Sequence, residues 1–268
     1  MEHHGEIHNK KVFAIIPARY ASTRLPGKML REIGGKPLIM HAFERASEAR
    51  SVSEAIVATD DARIFDAVHA AGGKVVMTRA DHASGSDRIA QVALELPEGS
   101  IIVNVQGDEP LISRATIDAA VEAIVNDESA QMSTTCEPID SVHELLNANV
   151  VKVVVDDKGY ARHFSRSPMP FPRDAALRYG GSLEEALIAE PEILSIFRKH
   201  TGLYVYRREY LLRLTGLPQT RLEMTESLEQ LRALEDGARI RVLEAVGRSI
   251  GVDTESDLLR VRELIEGR

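Results

Sequence analysis

The chain has 268 residues, of which 44% are hydrophobic, and it carries a formal net charge of −8 at pH 7. This length and apolar content suffice for one large folded domain. The acidic balance argues against broad binding to nucleic acid or to a membrane surface. The single cysteine, Cys136, excludes an intramolecular disulfide and fits a reducing cytoplasm. No apolar run approaches the roughly 20 residues of a membrane-spanning helix. We therefore expect a cytoplasmic protein without membrane insertion and without a nucleic-acid partner.

The first eleven residues, MEHHGEIHNKK, are polar and rich in histidine. They lack the apolar core of a signal peptide, and polar terminal segments are usually poorly ordered. We predict a flexible tail over residues 1–11, with metal binding by His3, His4 and His8 as the alternative. Residues 12–268 are predicted to form a single α/β domain.

Short apolar runs alternate with amphipathic segments through the first hundred residues. Four runs rich in β-branched residues predict buried strands: Val12–Ala18, Glu54–Asp60, Lys74–Thr78 and Ile101–Gln106. Between them, PLIMHAFERASEA, ARIFDAVHAAGG and SDRIAQVALEL carry apolar residues at helical spacing. This alternation predicts a largely parallel sheet with helices on both faces and with ligands at the carboxyl ends of its strands.

The alternation breaks in the middle of the chain. The segment VVKVVVDDKGYARHFSRS has two strand-like runs around an Asp-Asp-Lys-Gly turn, which predicts a hairpin. Pro168–Glu192 is rich in proline and is predicted to be irregular, and a strand is predicted at Thr201–Arg207. The C-terminal part returns to helix, strand and helix. We therefore predict a small antiparallel insertion at about residues 150–210, and we interpret Cys136, in a strand-like run, as structural.

The loop after the first predicted strand concentrates positive charge. Arg19, Arg24 and Lys28 lie within RYASTRLPGK, which also holds Ser22 and a Pro-Gly turn. Three cations and the backbone N–H groups at this edge of a parallel sheet suit a triphosphate, since Arg offers paired donors and Lys a compact charge. A Walker A loop is excluded because that pattern requires Ser or Thr where Met29 stands. The alternative is a solvated basic loop.

Two carboxylates follow later apolar runs. VNVQGDEPLI places Asp108 after a predicted strand, where Gly107 allows close backbone approach, and Asp253 lies in IGVDTESDL. A bound triphosphate needs Mg²⁺ to offset its charge, and Mg²⁺ takes one or two carboxylates together with phosphate oxygens. Asp108 and Asp253 are therefore a candidate metal pair, and Glu109 is left out of it. As the alternative, Asp253 only caps the helix that begins near Thr254.

The motif PARYASTRLPGKML, with GGKPLI after it, resembles the signature of the sugar cytidylyltransferases and of the wider sugar-nucleotidyltransferase superfamily. The similarity is closest to the 3-deoxy-manno-octulosonate (Kdo) cytidylyltransferase family and runs from Val12 to Leu264. It includes IVATDD, MTRADHASGSDR, VNVQGDEP, NVVKVV, HFSR, HTGLYVYR, LEQLR and GVDTESDL. The resemblance implies a Rossmann-like nucleotide-diphospho-sugar transferase fold, with a mostly parallel mixed sheet flanked by helices and a small antiparallel insertion.

The resemblance also implies which residues form the site. It gives catalytic roles to Arg19, Lys28, Asp108 and Asp253, and it makes the two aspartates the ligands of Mg²⁺. The implied nucleotide-binding residues are Ala18, Arg19, Ser22, Arg24, Lys28, Arg79, Ser84 and Gln106. The implied sugar-binding residues are Gln106, Arg166, His200, Tyr204, Glu229 and Gln230. Taken without the resemblance, Ser84 predicts a helix N-cap, His200 a structural histidine and Glu229-Gln230 a solvated helix face.

The implied reaction transfers CMP from CTP to the anomeric hydroxyl of Kdo, in a cytoplasmic homodimer that serves lipopolysaccharide inner-core synthesis. The chain departs from the family at Ser86, where Thr is more frequent, at Thr201, where an apolar residue often follows the histidine, and in its longer Arg173–Lys199 segment. Two alternatives remain. The acceptor is another acidic sugar, such as an 8-amino relative of Kdo or a sialic acid, or the chain is a catalytically silent nucleotide-binding module on the same fold.

Overall fold

The structure is a computed structural model, and it describes residues 10–22 and 24–267. Residues 1–9, which hold His3, His4 and His8 of the predicted tail, lie outside the described residues. The chain divides into two compact units. Unit 1 holds the described residues up to 133, together with residues 202–216 and those from 246 onward, and unit 2 holds residues 134–201 and 217–245.

Strands and helices alternate through most of the described chain. The strands are β1 (Val12–Ala18), β2 (Glu32–Ile33), β3 (Lys36–Pro37), β4 (Glu54–Thr59), β5 (Val75–Met77), β6 (Ile101–Asn104), β7 (Met132–Pro138), β8 (Lys152–Val155), β9 (Ala161–Ser165), β10 (Arg198–Arg207) and β11 (Ile240–Glu244). The α-helices are α1 (Leu38–Ser47), α2 (Ala62–Ala70), α3 (Gly85–Leu94), α4 (Arg114–Val125), α5 (Val142–Leu146), α6 (Arg173–Arg178), α7 (Leu183–Ala189), α8 (Arg208–Gly216), α9 (Arg221–Glu226), α10 (Gln230–Glu235) and α11 (Glu255–Glu266). Short 3₁₀ helices cover Lys28–Leu30 and Pro191–Ile196.

Unit 1 contains the predicted parallel sheet. β1 pairs in parallel with β4 and β6, β4 pairs in parallel with β5, and β10 joins β6 in the antiparallel direction. The strand order is β10-β6-β1-β4-β5. All of β6, and all of β1 except Pro17, is buried, as expected of apolar runs in a sheet that helices cover. Both α1 and α3 pack against β1 and β4.

The antiparallel hairpin predicted in the middle of the chain lies in unit 2. β8 and β9 pair in the antiparallel direction. In their turn, Oδ1 of Asp156 accepts hydrogen bonds from the N–H groups of Lys158 and Tyr160, each at 2.9 Å, a local bond that makes Asp favourable in turns. β8 also pairs with β10, and β7 lies between β11 and β10.

Cys136 lies in β7 and is buried, in line with its structural interpretation. Burial raises the pKa of its thiol to about 11. The thiol is therefore neutral at physiological pH, whereas a nucleophilic or metal-binding cysteine needs the thiolate.

The irregular structure predicted for Pro168–Glu192 is wrong, because the segment contains α6, α7 and the start of the second 3₁₀ helix. Ser182 is the N-cap of α7, since its Oγ accepts a hydrogen bond from the N–H of Glu185 at 3.2 Å. Leu187 of α7 packs in a buried cluster with Phe197. Helices this short depend on such tertiary packing, which composition does not reveal.

Candidate active site

The loop after β1 carries the predicted phosphate-binding cations and closes in a tight turn. Gly27 adopts φ +64° just before the 3₁₀ helix that begins at Lys28, a backbone conformation that favours glycine. A Cβ on Gly27 would lie 3.2 Å from Oη of Tyr20. Leu25, earlier in the turn, belongs to a buried cluster with Leu38 of α1. The C-terminal half of the loop is therefore fixed by packing.

Lys28 is the point where the two predicted metal-binding carboxylates meet. Its Nζ donates to Oδ2 of Asp108 at 2.6 Å and to Oδ1 of Asp253 at 3.1 Å, although 80 and 225 residues separate the partners along the chain. Arg24 joins the cluster, with Nη2 3.0 Å from Oδ1 of Asp253. The structure thus brings two of the three loop cations onto the two carboxylates, which is the convergence that the predicted site requires.

Lys28 is only 7% exposed, and its environment keeps the ammonium charged. Burial by itself would lower the pKa of Lys28, but the negative charge of Asp108 and the hydrogen bonds to Asp108 and Asp253 raise it above its ordinary value.

Backbone contacts hold the Asp108 loop against the rest of the site. The N–H of Val252 donates to the carbonyl oxygen of Asp108 at 2.9 Å, so the loops that carry the two carboxylates are directly linked. A Cβ on Gly107 would lie 2.8 Å from Cδ1 of Ile39 and 3.1 Å from Sδ of Met29. Any larger residue at position 107 would force the side chains of Ile39 and Met29 to shift, so glycine favours this close approach of the two loops.

Asp253 is not the cap of the helix that follows it. Thr254 is the N-cap of α11, and Thr254 and Asp257 form a capping box with reciprocal hydrogen bonds. The alternative interpretation of Asp253 as a helix cap is therefore wrong. Behind the cap, Leu258 and Val261 of α11 pack in the same buried cluster as Leu25.

The carboxylate pair fits a magnesium ion by its chemistry. Asp108 and Asp253 present oxygen atoms to one shared positive charge, that of Lys28. Mg²⁺ binds through one or two carboxylates and completes its shell with water and substrate phosphate oxygens. Within residues 10–22 and 24–267, no group of three or more His, Cys, Asp or Glu side chains is arranged to hold a metal ion.

The residues predicted to read the base lie on the connection between β5 and α3, residues 78–84. Ser84 is the N-cap of α3: its Oγ accepts from the N–H of Asp87 at 3.1 Å, and its own N–H donates to Oδ2 of Asp87 at 2.9 Å. Nε of Arg79 contacts Oδ1 of Asp81 at 3.0 Å. Arg19, the third loop cation, is directed to this connection, where its Nη2 donates to the carbonyl oxygen of His82 at 2.7 Å.

The other predicted residues of unit 1 occupy strand ends and loops. Ala18 is the buried last residue of β1, and Oγ of Ser22 accepts from the N–H of Leu25 at 3.4 Å. Nε2 of Gln106 donates to Oδ1 of Asn104 at 3.3 Å. Tyr204 stacks on Tyr206 in β10, with ring centroids 6.0 Å apart.

Arg166, in unit 2, is bound to backbone. Its Nε donates to the carbonyl oxygen of Glu226 at 2.6 Å and its Nη1 to that of Ala148 at 2.9 Å, while its backbone N–H donates to the Glu226 carboxylate at 3.0 Å. Nη2 lies 3.4 Å from the carbonyl oxygen of Ser227, a residue held at φ +53°. Arg166 therefore fixes the backbone just ahead of Glu229.

His200, also in unit 2, is a neutral histidine. Burial lowers its pKa to about 3. Its Nε2 shares a hydrogen bond of 2.8 Å with Oγ1 of Thr134, and its ring meets that of Phe164 edge to face. It can offer a hydrogen bond to a ligand at neutral pH, but no charge.

Without the family resemblance, the sequence predicts that Glu229 and Gln230 lie on a solvated helix face. The structure does not show such a face. Oε1 of Glu229 accepts from Nη2 of Arg232 at 3.2 Å. Gln230, the first residue of α10, is buried.

Among the described residues, the sequence analysis missed several buried cations, and Arg88 and Lys152 are the most deeply buried of them. Arg88 in α3 has no exposed surface, and it contacts Asp60 at 3.0 Å and the hydroxyl of Thr78. Lys152 in β8 is equally buried, and its Nζ donates to two backbone carbonyls, at 2.7 and 3.1 Å. The signals were present, since Arg88 lies in the SGSDR motif and Lys152 is a lone charge in an apolar run.

Known proteins share both the sequence and the fold of this chain. The cytidylyltransferase family model matches residues 13–240. The 3-deoxy-manno-octulosonate cytidylyltransferase of Geobacter sulfurreducens is 51% identical, covering 95% of this chain and 99% of that one, and its counterpart from Geobacter metallireducens is 53% identical over 94% and 97%.

Solved structures agree with these relatives. The structure of CMP:2-keto-3-deoxy-manno-octonic acid synthetase complexed with CTP is 41% identical, with a TM-score of 0.85, and the match covers 96% of this chain and 99% of that one. A 4-diphosphocytidyl-2C-methyl-D-erythritol synthase from Anaerococcus prevotii, at 14% identity, shares the fold with a TM-score of 0.60 over 97% and 98% of the two chains. The predicted fold class is confirmed. Helices of the length and apolar character needed to cross a membrane are absent from the described part of the chain.

Proposed function

Because the chain belongs to the cytidylyltransferase family, we propose that it transfers CMP from CTP to the anomeric hydroxyl of Kdo and releases pyrophosphate. The observation that carries this proposal is the convergence of Arg24 and Lys28 on Asp108 and Asp253. Cations for a triphosphate and carboxylates for its metal ion then belong to one site. The loss of any one of these side chains would be tolerated in a silent binding module, and this chain keeps all of them.

In the proposed reaction the sugar hydroxyl attacks the α-phosphorus in line, its proton leaves, and the bond to the β-phosphate breaks. Arg19, Arg24 and Lys28 bind the triphosphate and stabilise the charge that grows on the leaving pyrophosphate. The chain need not supply a covalent nucleophile, since positioning and charge stabilisation account for catalysis of this kind.

We propose Mg²⁺ as the cofactor, held by Asp108 and Asp253. When bound, it would offset the triphosphate charge and lower the pKa of the attacking hydroxyl. The part played by the chain itself is electrostatic. Lys28 bridges the two carboxylates in the free protein, offsets part of their negative charge and keeps them close together.

We propose Kdo as the acceptor because two similar proteins, at 51 and 53% identity, are named 3-deoxy-manno-octulosonate cytidylyltransferase. An acidic sugar needs a cation, and Arg166 is the one positively charged side chain among the predicted sugar-binding residues, since His200 is neutral. Arginine has five N–H donors. Three of them donate to backbone carbonyls, and the others would serve the sugar carboxylate.

We also propose a cytoplasmic homodimer whose product serves lipopolysaccharide inner-core synthesis, as the family resemblance implies. Large apolar side chains are exposed in unit 2, with relative exposure between 46 and 65%: Phe171, Leu177, Ile188 and Ile196. A contiguous apolar patch marks an interaction surface, and a patch formed by these side chains would support pairing with a second copy.

Pyrophosphate release by the purified chain tests the function. We expect release with CTP, Mg²⁺ and Kdo, and less with 8-amino-Kdo or a sialic acid. Release that is fastest with one of those sugars would replace Kdo as the acceptor. Binding of CTP with no release for any sugar would favour the silent module.

Replacement of Asp108 by Asn tests the metal assignment. We expect Asp108→Asn to abolish Mg²⁺-dependent turnover while the circular dichroism spectrum stays that of the wild type. The matched control is Glu109→Gln, which changes the neighbouring acid and should retain turnover. Near-normal rates of Asp108→Asn at saturating Mg²⁺ would reject the metal assignment.

A further inference from the structure

A cavity of about 460 Å³ lies behind the connection between β5 and α3. Arg79 and His82 of the connection line one part of it, Gln91 and Leu94 of α3 another, and Leu212 of α8 a third. Close packing is what normally holds a loop on a helix. Where the connection borders the cavity, it lacks such packing contacts. Hydrogen bonds must therefore hold it in position on this side.

Gln91 supplies two of these hydrogen bonds through one atom. Its Oε1 lies 3.0 Å from the backbone N of Arg79 and 2.6 Å from Nε2 of His82. A backbone N–H can only donate, so the Gln91 atom is the amide oxygen. Nε2 of His82 must therefore carry a proton and donate as well.

The two residues that Gln91 binds are tied to the predicted nucleotide site. Arg79 is predicted to read the base, and the carbonyl oxygen of His82 accepts the hydrogen bond from Nη2 of Arg19, a predicted triphosphate-binding cation. The amide oxygen of Gln91 on α3 therefore holds both Arg79 and His82 in place, although Gln91 itself is not among the predicted nucleotide-binding residues.

The helix that carries Gln91 is itself firmly anchored. Arg88, three residues earlier on α3, is fully buried and bonded to Asp60 and Thr78, which directly follow β4 and β5. Residues three apart lie on neighbouring positions of a helix surface. The connection is therefore held against a rigid support.

We propose that Gln91 is a positioning residue of the nucleotide site: it fixes the connection that carries Arg79 and His82, and through His82 it orients Arg19. This inference rests on the proposed function, since it concerns binding of CTP. Without the Gln91 oxygen, two N–H donors lose their acceptor beside a cavity into which the connection can move. We expect about tenfold weaker binding of CTP, as for the loss of two ordinary hydrogen bonds.

The test compares Gln91→Leu with Gln91→Glu, which keeps an acceptor at the same place. The dissociation constant of CTP is measured by titration calorimetry on the full chain, together with kcat, KM and the preference for CTP over UTP. We expect Gln91→Leu to raise Kd and KM about tenfold and to lower the preference for CTP, with kcat within about twofold of wild type. Gln91→Glu should restore most of the affinity, and Glu95→Gln, a control at the C-terminal end of the same helix, should bind like the wild type.

A second variant removes the other side of the bond. His82→Phe deletes the donor to Gln91, keeps an aromatic ring, and should also weaken CTP binding, so the proposal stays testable if Gln91→Leu does not fold. Wild-type affinity and wild-type CTP preference in both folded variants would overturn the positioning role alone. A loss of thermal stability with an unchanged KM would overturn it too, because that is the signature of a purely structural residue. A wild-type chain that does not bind CTP would overturn the proposed function together with this inference.

Discussion

Replacement of Lys28 by methionine tests the cluster on which the proposed site depends. Methionine preserves most of the length of the side chain and its packing but removes the ammonium. The variant therefore loses the hydrogen bonds of 2.6 and 3.1 Å to Asp108 and Asp253. It also leaves the two carboxylates without the buried cation that they share.

The expected loss of stability follows from burial. Hydrogen bonds to charged groups contribute about 1.5–3 kcal/mol each, and breaking a buried ion pair costs roughly 3–5 kcal/mol. The side chains of Asp108 and Asp253 are 28 and 46% exposed, so water can solvate much of their charge once Lys28 is gone. After this discount we expect a loss of about 2 kcal/mol in the free energy of unfolding, or about 4–8 °C in Tm.

The pH dependence has a definite sign. The pKa of Lys28 is raised in the folded chain above its ordinary value of 10.5. Its contribution is therefore complete below the unfolded pKa and is lost as the pH rises through the folded pKa. The difference between wild type and Lys28→Met should stay constant at neutral pH and shrink only in strongly alkaline solution.

Thermal unfolding in EDTA, and again with Mg²⁺, measures these effects. We expect Mg²⁺ to stabilise Lys28→Met more than the wild type, because the metal supplies the charge that the variant lacks. The matched control is Lys36→Met, which removes an exposed ion pair with Glu44 and should cost at most about 1 kcal/mol. A Tm of Lys28→Met equal to that of the wild type, or a fall no larger than that of the control, would refute the reasoning.

Two further predictions concern other parts of the molecule. Gly27→Ala places a Cβ 3.2 Å from the Tyr20 hydroxyl at φ +64°, and it should weaken CTP binding in calorimetry. The control is Gly35→Ala, which is also at positive φ but has open space around it and should bind CTP like the wild type. Equal affinities of the two variants would contradict the role of the turn. The pKa of His200 is about 3 when folded and near 6.5 when unfolded, so its contribution to stability is lost as the pH falls from 6.5 toward 3. His200→Asn should flatten this part of the plot of unfolding free energy against pH, and an unchanged slope would show that folding does not lower the pKa of His200.

Strands β1, β4 and β6 could be predicted because nearly all of their side chains are buried. Val12–Ala18 is correct at both ends, while the runs predicted to end at Asp60 and Gln106 stop one and two residues earlier. Those terminal polar residues belong to the loops at the carboxyl edge of the sheet. Hydropathy therefore predicted the positions of the strands well, but it predicted their carboxyl ends, where the loops begin, less accurately.

The meeting of Lys28 with Asp108 and Asp253 could not be derived from spacing. The residues are 80 and 225 positions apart, and only the order of the strands, with β6 beside β1, brings the first two together. Their positions after apolar runs made the two aspartates a candidate pair, the family resemblance implied their shared role, and the structure supplies the contacts. Gln91 gave no signal at all, because a glutamine on an amphipathic helix usually predicts a solvated position.

The hydrogen bond between Val252 and Asp108 links the segment just before the C-terminal helix to the proposed site. Leu258 and Val261 anchor α11 in the cluster that also holds Leu25. The pairing of the strands in the sheet does not depend on this helix. Proteolysis just before this helix would release Asp253 from its place beside Lys28 and leave the parallel strands paired. Such a cleaved protein would lose activity while its sheet stays folded. A circular dichroism spectrum, which is sensitive to the fold, would not detect this loss.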